Sequence, residues 1–90
     1  MRKETNIFKV SGHSSVPSLA GAIVKSIEDN KGVELHSIGA SSVNQSTKAI
    51  ATARGILASR GYDILVRIGF DQVSINDNER TMMKFILVIQ

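Results

Sequence analysis

The chain has no cysteine and no tryptophan, a single proline and a single tyrosine among its 90 residues. Without cysteine there is no disulfide framework, no thiolate metal site and no cysteine nucleophile. Aromatics make up 4% (Phe8, Tyr62, Phe70, Phe85), which leaves little material for binding by base stacking. No apolar run approaches the roughly 18 residues that cross a bilayer, and the N-terminus lacks a signal peptide's apolar stretch. The expected location is cytoplasmic, with no membrane partner. His13 and His36 are the only histidines, so no histidine-rich metal site can be built from one chain and no metal is expected. Asp71, Asp77 and Glu79 lack the ligand spacing and glycine turn of a calcium loop and read as a solvated hairpin tip. Gly-x-Gly-x-x-Gly and Walker-type Gly-Lys-Ser/Thr motifs are missing, so no cofactor and no small-molecule substrate are expected. Serines abound, but neither histidine has a recognisably placed carboxylate partner. Hydrolase chemistry is therefore unsupported, and the chain reads as non-enzymatic.

What is present suits one folded unit over residues 1–90, since the chain is 42% hydrophobic and 21% charged. The net charge of +3 is unevenly spread. Residues 1–31 carry Arg2, Lys3, Lys9, Lys25 and Lys31 against Glu4, Glu28 and Asp29. Residues 32–60 carry Lys48, Arg54 and Arg60 against Glu34 alone. The last third holds Arg67, Arg80 and Lys84 against Asp63, Asp71, Asp77 and Glu79. An anionic partner is thus favoured by the first two thirds and mildly repelled by the last.

Thr5–Val10 reads as a strand that enters a turn at Ser11-Gly12-His13. Ser14 or Ser15 can cap the following helix, and Pro17 suits its first turn, where an amide hydrogen is dispensable. Val16, Leu19, Ala20, Ile23 and Ile27 then recur at helical steps, and Asn30-Lys31-Gly32 stops the helix, with Gly32 free to take positive φ. Val33–Ile38 is a second strand ending at Gly39. A second helix runs from a cap at Ser41 or Ser42 to about Ser59, with Gly61 as its stop. Val43, Ala49, Ile50, Ala53, Ile56 and Leu57 fall within one arc of this helix; Asn44, Lys48, Thr52, Gly55 and Ser59 lie opposite. Ile64, Val66, Ile68 and Phe70 alternate along a half-buried strand, Asn76-Asp77-Asn78 makes a turn, and Met82–Ile89 returns as the last strand. The order β-α-β-α-β-β predicts an α+β fold, two helices packed on one face of a four-stranded mixed sheet.

Ile38-Gly39-Ala40, Val43-Asn44-Gln45, Lys48-Ala49-Ile50-Ala51 and Ala53-Arg54-Gly55 resemble, in this order and spacing, the stage V sporulation protein S family. The likeness extends to Lys9-Val10-Ser11, Ser14-Ser15, Ala20-Gly21-Ala22 and Glu79-Arg80-Thr81, and so spans nearly the whole chain. It implies a small, non-enzymatic bacterial sporulation regulator. That family in turn resembles the Alba group of chromatin and RNA-binding proteins, whose element order matches and whose domains usually pair.

The best-motivated site is the start of the second helix. Gly39 lets the backbone turn sharply, and the amides of Ser41, Ser42, Val43 and Asn44 are read as lacking intrahelical partners. With the helix dipole they attract anions, and no acid occupies that first turn. Asn44 and Lys48, one turn apart, add a donor and a charge, and a nucleic-acid phosphate is the natural ligand. The competing reading makes Ser41 or Ser42 a simple cap and lets Asn44 and Gln45 bond to a neighbouring loop. The first turn, with Lys9, His13, Ser14 and Ser15, is a second candidate, because both helices begin at the same sheet edge and their starts can form one rim. Here too the competing reading is a capped turn with a solvated histidine. Arg54 and Arg60 extend the positive surface, and Thr47, Ala51, Arg54 and Ala58 form a small-residue flank expected to contact a second subunit in a dimer. The expectation is a nucleic-acid-binding regulator (of DNA or RNA) with weak, sequence-tolerant binding. The alternative is a protein-interaction module acting in sporulation or division through a self-associating surface.

Overall fold

The structure, a computed structural model, describes residues 4–90; Arg2 and Lys3, counted in the charge balance above, lie outside the described residues. The elements follow the order β1 (Thr5–Val10), α1 (Val16–Glu28), β2 (Gly32–Ile38), α2 (Ala40–Ala58), β3 (Ile64–Ile75) and β4 (Asn78–Ile89). One four-stranded sheet has the order β1-β2-β4-β3, with β1 parallel to β2 and the other two pairings antiparallel. The α+β expectation holds.

Alternation in the strands and helical spacing in α1 and α2 meet in a single core. Val33, Leu35, Phe85 and Leu87 point from the sheet to the buried stripe of Ala20, Ile23, Val24 and Ile27 on α1. The same layer receives Ala49, Ile50, Ala53 and Leu57 from α2. Burying each large aliphatic side chain here contributes about 1.5–3 kcal/mol. Two polar ties fasten the helices to this face. Asn6 Nδ2 donates to Ser26 Oγ at 2.9 Å, and the buried hydroxyls of Ser37 and Ser46 share a hydrogen bond of 2.6 Å.

Both helices end alike. At α1, the Lys31 amide donates to the Ser26 carbonyl and the Asn30 amide to that of Ile27; at α2, Tyr62 and Gly61 donate likewise to Leu57 and Ala58. The residue in the left-handed position is Gly61 (φ 86) in one case and Asn30 (φ 62) in the other. This corrects the reading of Gly32 as the positive-φ stop of α1: the short Asn30 side chain tolerates that conformation. Gly32 instead opens β2 beside its register partner Thr5, whose Oγ1 would lie 2.8 Å from an added Cβ.

The β3–β4 hairpin is longer than its alternation suggested. Pairing with β2 reaches only Ile38–Met82, whereas β3 and β4 pair with each other as far as Ile75–Asn78. The outer part is an arm with no helix over it. The expected half-buried run also fails before the arm begins: on β3, the edge strand farthest from β1 and β2 where the helices pack, Ile68 is 60% and Phe70 63% exposed.

Candidate nucleic-acid interface

The two helix starts do converge. A Cβ on Gly12 would stand 2.8 Å from Ser41 Oγ, so the first turn packs directly on the start of α2. Gln45, one turn into α2, donates from Nε2 to the Ser14 carbonyl at 2.8 Å and ties the two together.

Their hydrogen bonding is unequal. The turn before α1 satisfies itself: the Ser11 amide donates to Ser14 Oγ at 2.9 Å, the His13 amide to Ser11 Oγ at 3.1 Å, and the Ser18 amide to Ser15 Oγ at 3.3 Å. Ser15 is the cap of α1, with extended backbone (φ −72, ψ 121). The start of α1 is thus capped, as the competing reading had it, and does not add open amides to the rim. At α2 the cap position is Gly39, at φ 92 and ψ 156, and no side chain caps the helix. Ser41 and Ser42, expected as caps, lie within the first turn. Ser42 is buried, and its hydroxyl shares its hydrogen between the carbonyls of Ile38 (2.7 Å) and Gly39 (2.9 Å). The Val43 amide donates to Gly39 at 3.2 Å, and a helix that starts at Ala40 supplies a carbonyl for Asn44. The open amides are therefore those of Ala40, Ser41 and Ser42, not those of Val43 and Asn44. No acid stands in this turn.

Beside that opening, Ser41, Asn44 and Lys48 are exposed along one line of α2 at steps of three and four residues. Thr47, Ala51, Arg54 and Ala58 are exposed along the neighbouring flank. Gln45 belongs to the packing, as the competing reading had it. Lys9 does not join the rim: it alternates with Phe8 and Val10 onto the face of the sheet away from the helices, opposite His36 in register.

Ion pairs redistribute the charge in a way the linear sequence conceals. Five of the eight acids pair with Lys or Arg (Lys31–Glu4, Arg60–Glu28, Lys25–Asp29, Arg54–Asp63 and Lys84–Asp71), and a sixth, Glu34, is hydrogen-bonded to the His36 ring. Arg54 lies 3.4 Å from Asp63, and both Glu28 oxygens accept from Arg60 at 2.9 Å, so the expected basic extension along α2 is largely neutralised. Among the described residues Lys9, Lys48, Arg67 and Arg80 have no acidic partner. His36 does have a carboxylate, Glu34 Oε1 at 2.8 Å, contrary to expectation. Among the described residues no group of three or more acids or histidines is placed to hold a metal. No helix there is long and apolar enough to cross a membrane.

This fold, with its exposed helix start and long two-stranded arm, is Alba-like. The solved structure of Alba from Thermoplasma volcanium matches with a TM-score of 0.64 at 10% identity, covering 94% of this chain and 99% of that one. At that identity the likeness carries the fold alone. A narrower grouping comes from the sequence family: the family model of stage V sporulation protein S (SpoVS) matches residues 6–90, and the chain belongs to that family.

Proposed function

We propose that this protein is a non-catalytic, cytoplasmic nucleic-acid-binding regulator that holds phosphates at the start of α2. The observation that carries this reading is the uncapped turn Ala40–Ser42, wedged against the first turn and flanked by exposed Asn44 and by Lys48, a cation without a counter-charge. Amides and dipole there favour a negative group, and Lys48 adds an unscreened charge. Phosphates carry no base identity, so binding is sequence-tolerant and serves DNA and RNA alike. Few cations take part, so log affinity falls only shallowly against log salt, with a slope of about −2 to −3 for two or three neutralised phosphates. The test is a low-salt titration against mixed DNA and RNA with Lys48→Glu as control. Affinity for both that drops severalfold in the variant supports the reading; no binding, or binding indifferent to the substitution, refutes it.

A second reading has its own observation. Ile68 and Phe70 lie exposed on the helix side of β3, and Thr47, Ile50, Val66, Ile68 and Phe85 line a shallow cleft of about 150 Å³ between α2 and the sheet. With Thr47, Ala51 and Ala58 alongside, this flank suits a second copy of the chain, and the protein acts as a dimer through it. Sedimentation of Phe70→Glu checks this: the wild type should sediment as a dimer and the variant as a folded monomer, and a wild-type monomer at all concentrations removes the idea.

A further inference from the structure

Three of the four cations without counter-charge, Lys9, Arg67 and Arg80, belong to the side of the sheet that carries no helix. The arm's charges are sorted by the two-residue period of β4. Arg80, opposite Val73, shares a face with Met82 and Lys84, while Glu79, opposite Ser74, points the other way. Glu79 therefore does not face the side of Arg80, and Asp71, which does, is paired with Lys84 at 3.2 Å. On this same side the arm, the end of β1 and the first turn enclose a groove of about 500 Å³. Its walls are Ile38, Val73, Ile75 and Met82, with Lys9 and His36 beside them and no Phe, Tyr or Trp. Glu34 holds the His36 ring at 2.8 Å.

We infer that this groove receives unpaired nucleotides, so that the protein prefers single-stranded to duplex nucleic acid. The inference rests on the nucleic-acid reading above and adds a second site to it. An inorganic anion would leave the aliphatic walls uncovered, and a purely apolar ligand would leave Lys9, in the lining, and Arg80, opposite the wall residue Val73 on the same face, without counter-charge. A nucleotide satisfies both: the base lies against Ile38, Val73, Ile75 and Met82 while its phosphates meet the two cations. The volume is that of a small-ligand site. Only unpaired bases can offer their faces in this way, because those of a duplex are stacked within it. Aliphatic walls here take the part that aromatic platforms play elsewhere.

The experiment uses the full chain at low salt with an unstructured, uridine-rich RNA of about 12 nucleotides, a length in the usual range for one site, and a duplex of equal length. Anisotropy should show the single strand bound roughly tenfold more tightly, the scale of one base contact. Ile75→Asp, at an exposed arm position, should abolish that preference while leaving duplex affinity unchanged. Lys48→Glu should weaken both ligands alike. With 4-thiouridine in the RNA, photocrosslinks to the wild type should fall between residues 73 and 82, a readout independent of whether any variant folds. Equal affinity for the two ligands, or crosslinks confined to residues 40–48, overturns the groove while leaving the phosphate rim standing. Failure of the wild type to bind either ligand overturns the rim reading and the groove with it.

Discussion

Helices α1 and α2 finish in the same way, with a carbonyl five residues back accepting from the chain as it leaves and a left-handed residue just before, but their first turns differ. Ser15 sits in extended backbone and accepts from Ser18, so α1 begins closed; Gly39 sits at φ 92 and ψ 156 with no side chain to offer, so α2 begins open. The difference has a backbone cause. The sharp exit from β2 that places α2 against Gly12 requires a conformation essentially reserved to glycine, and glycine has no oxygen with which to cap. Openness at α2 is thus built into the path of the chain, and a capping serine cannot be substituted there without strain. A closed start serves stability, whereas an open one leaves amides available to a ligand.

Three substitutions probe this contrast. The largest effect is expected from Gly39→Ala. A Cβ there meets nothing within 4 Å, so the whole loss is conformational, about 1–3 kcal/mol by urea unfolding. A loss below about 0.5 kcal/mol, the range of neutral surface changes, would show that the turn does not depend on glycine. Next, Ser15→Ala should cost about 1 kcal/mol, as removal of a working cap does, with nucleic-acid affinity unaltered. Affinity that fell with it would place ligand contacts at the start of α1. Smallest, and opposite in sign, is Ser41→Asp. A carboxylate in the open turn should raise stability by about 0.3–1 kcal/mol through the helix dipole, while weakening phosphate binding by occupying and repelling the same site. A thermal melt and a titration read the two effects, and a stability gain with undiminished affinity would separate the turn from the binding site.

The fold was legible because its elements advertise their period: β1 begins and ends where alternation and the Ser11-Gly12 turn put it, and α1 starts at Val16 behind a serine cap. Less legible was the inner face of α2. Ser42 and Ser46 are buried, and hydropathy alone had left both out of the core. The signal was present at helical spacing, since Ser42, Ser46, Ala49 and Ala53 occupy one line at steps of three and four. What hid it is that a hydroxyl can be buried when a carbonyl or a second hydroxyl waits for it, and those partners, Ile38 and Ser37, lie on another element. The stop of α1 falls within Asn30-Lys31-Gly32 as its residue types predict, but its left-handed residue is Asn30 and not Gly32, because Asn and Gly can both take that conformation and only the backbone decides between them. Charge was hidden more deeply. Glu28 and Arg60 are 32 positions apart, and no linear pattern reveals that they neutralise each other. Conversely, the neighbours Glu79 and Arg80 look self-cancelling and stand on opposite faces. Of the candidate site, the Gly39 turn was readable from residue types, whereas the closure of Ser15 and the packing role of Gln45 depended on which groups the fold brought within reach.

Beyond Ile38–Met82 the strands of the arm pair only with each other, outside the layer where the helices anchor the sheet. Such a ribbon can fray or twist at little expense to the rest of the molecule, since few buried groups are disturbed. Its amides should lose hydrogen-exchange protection well before those of β2, making it a pliant jaw mounted on a stiff base, able to adapt to an irregular strand that a rigid sheet would have to match in advance.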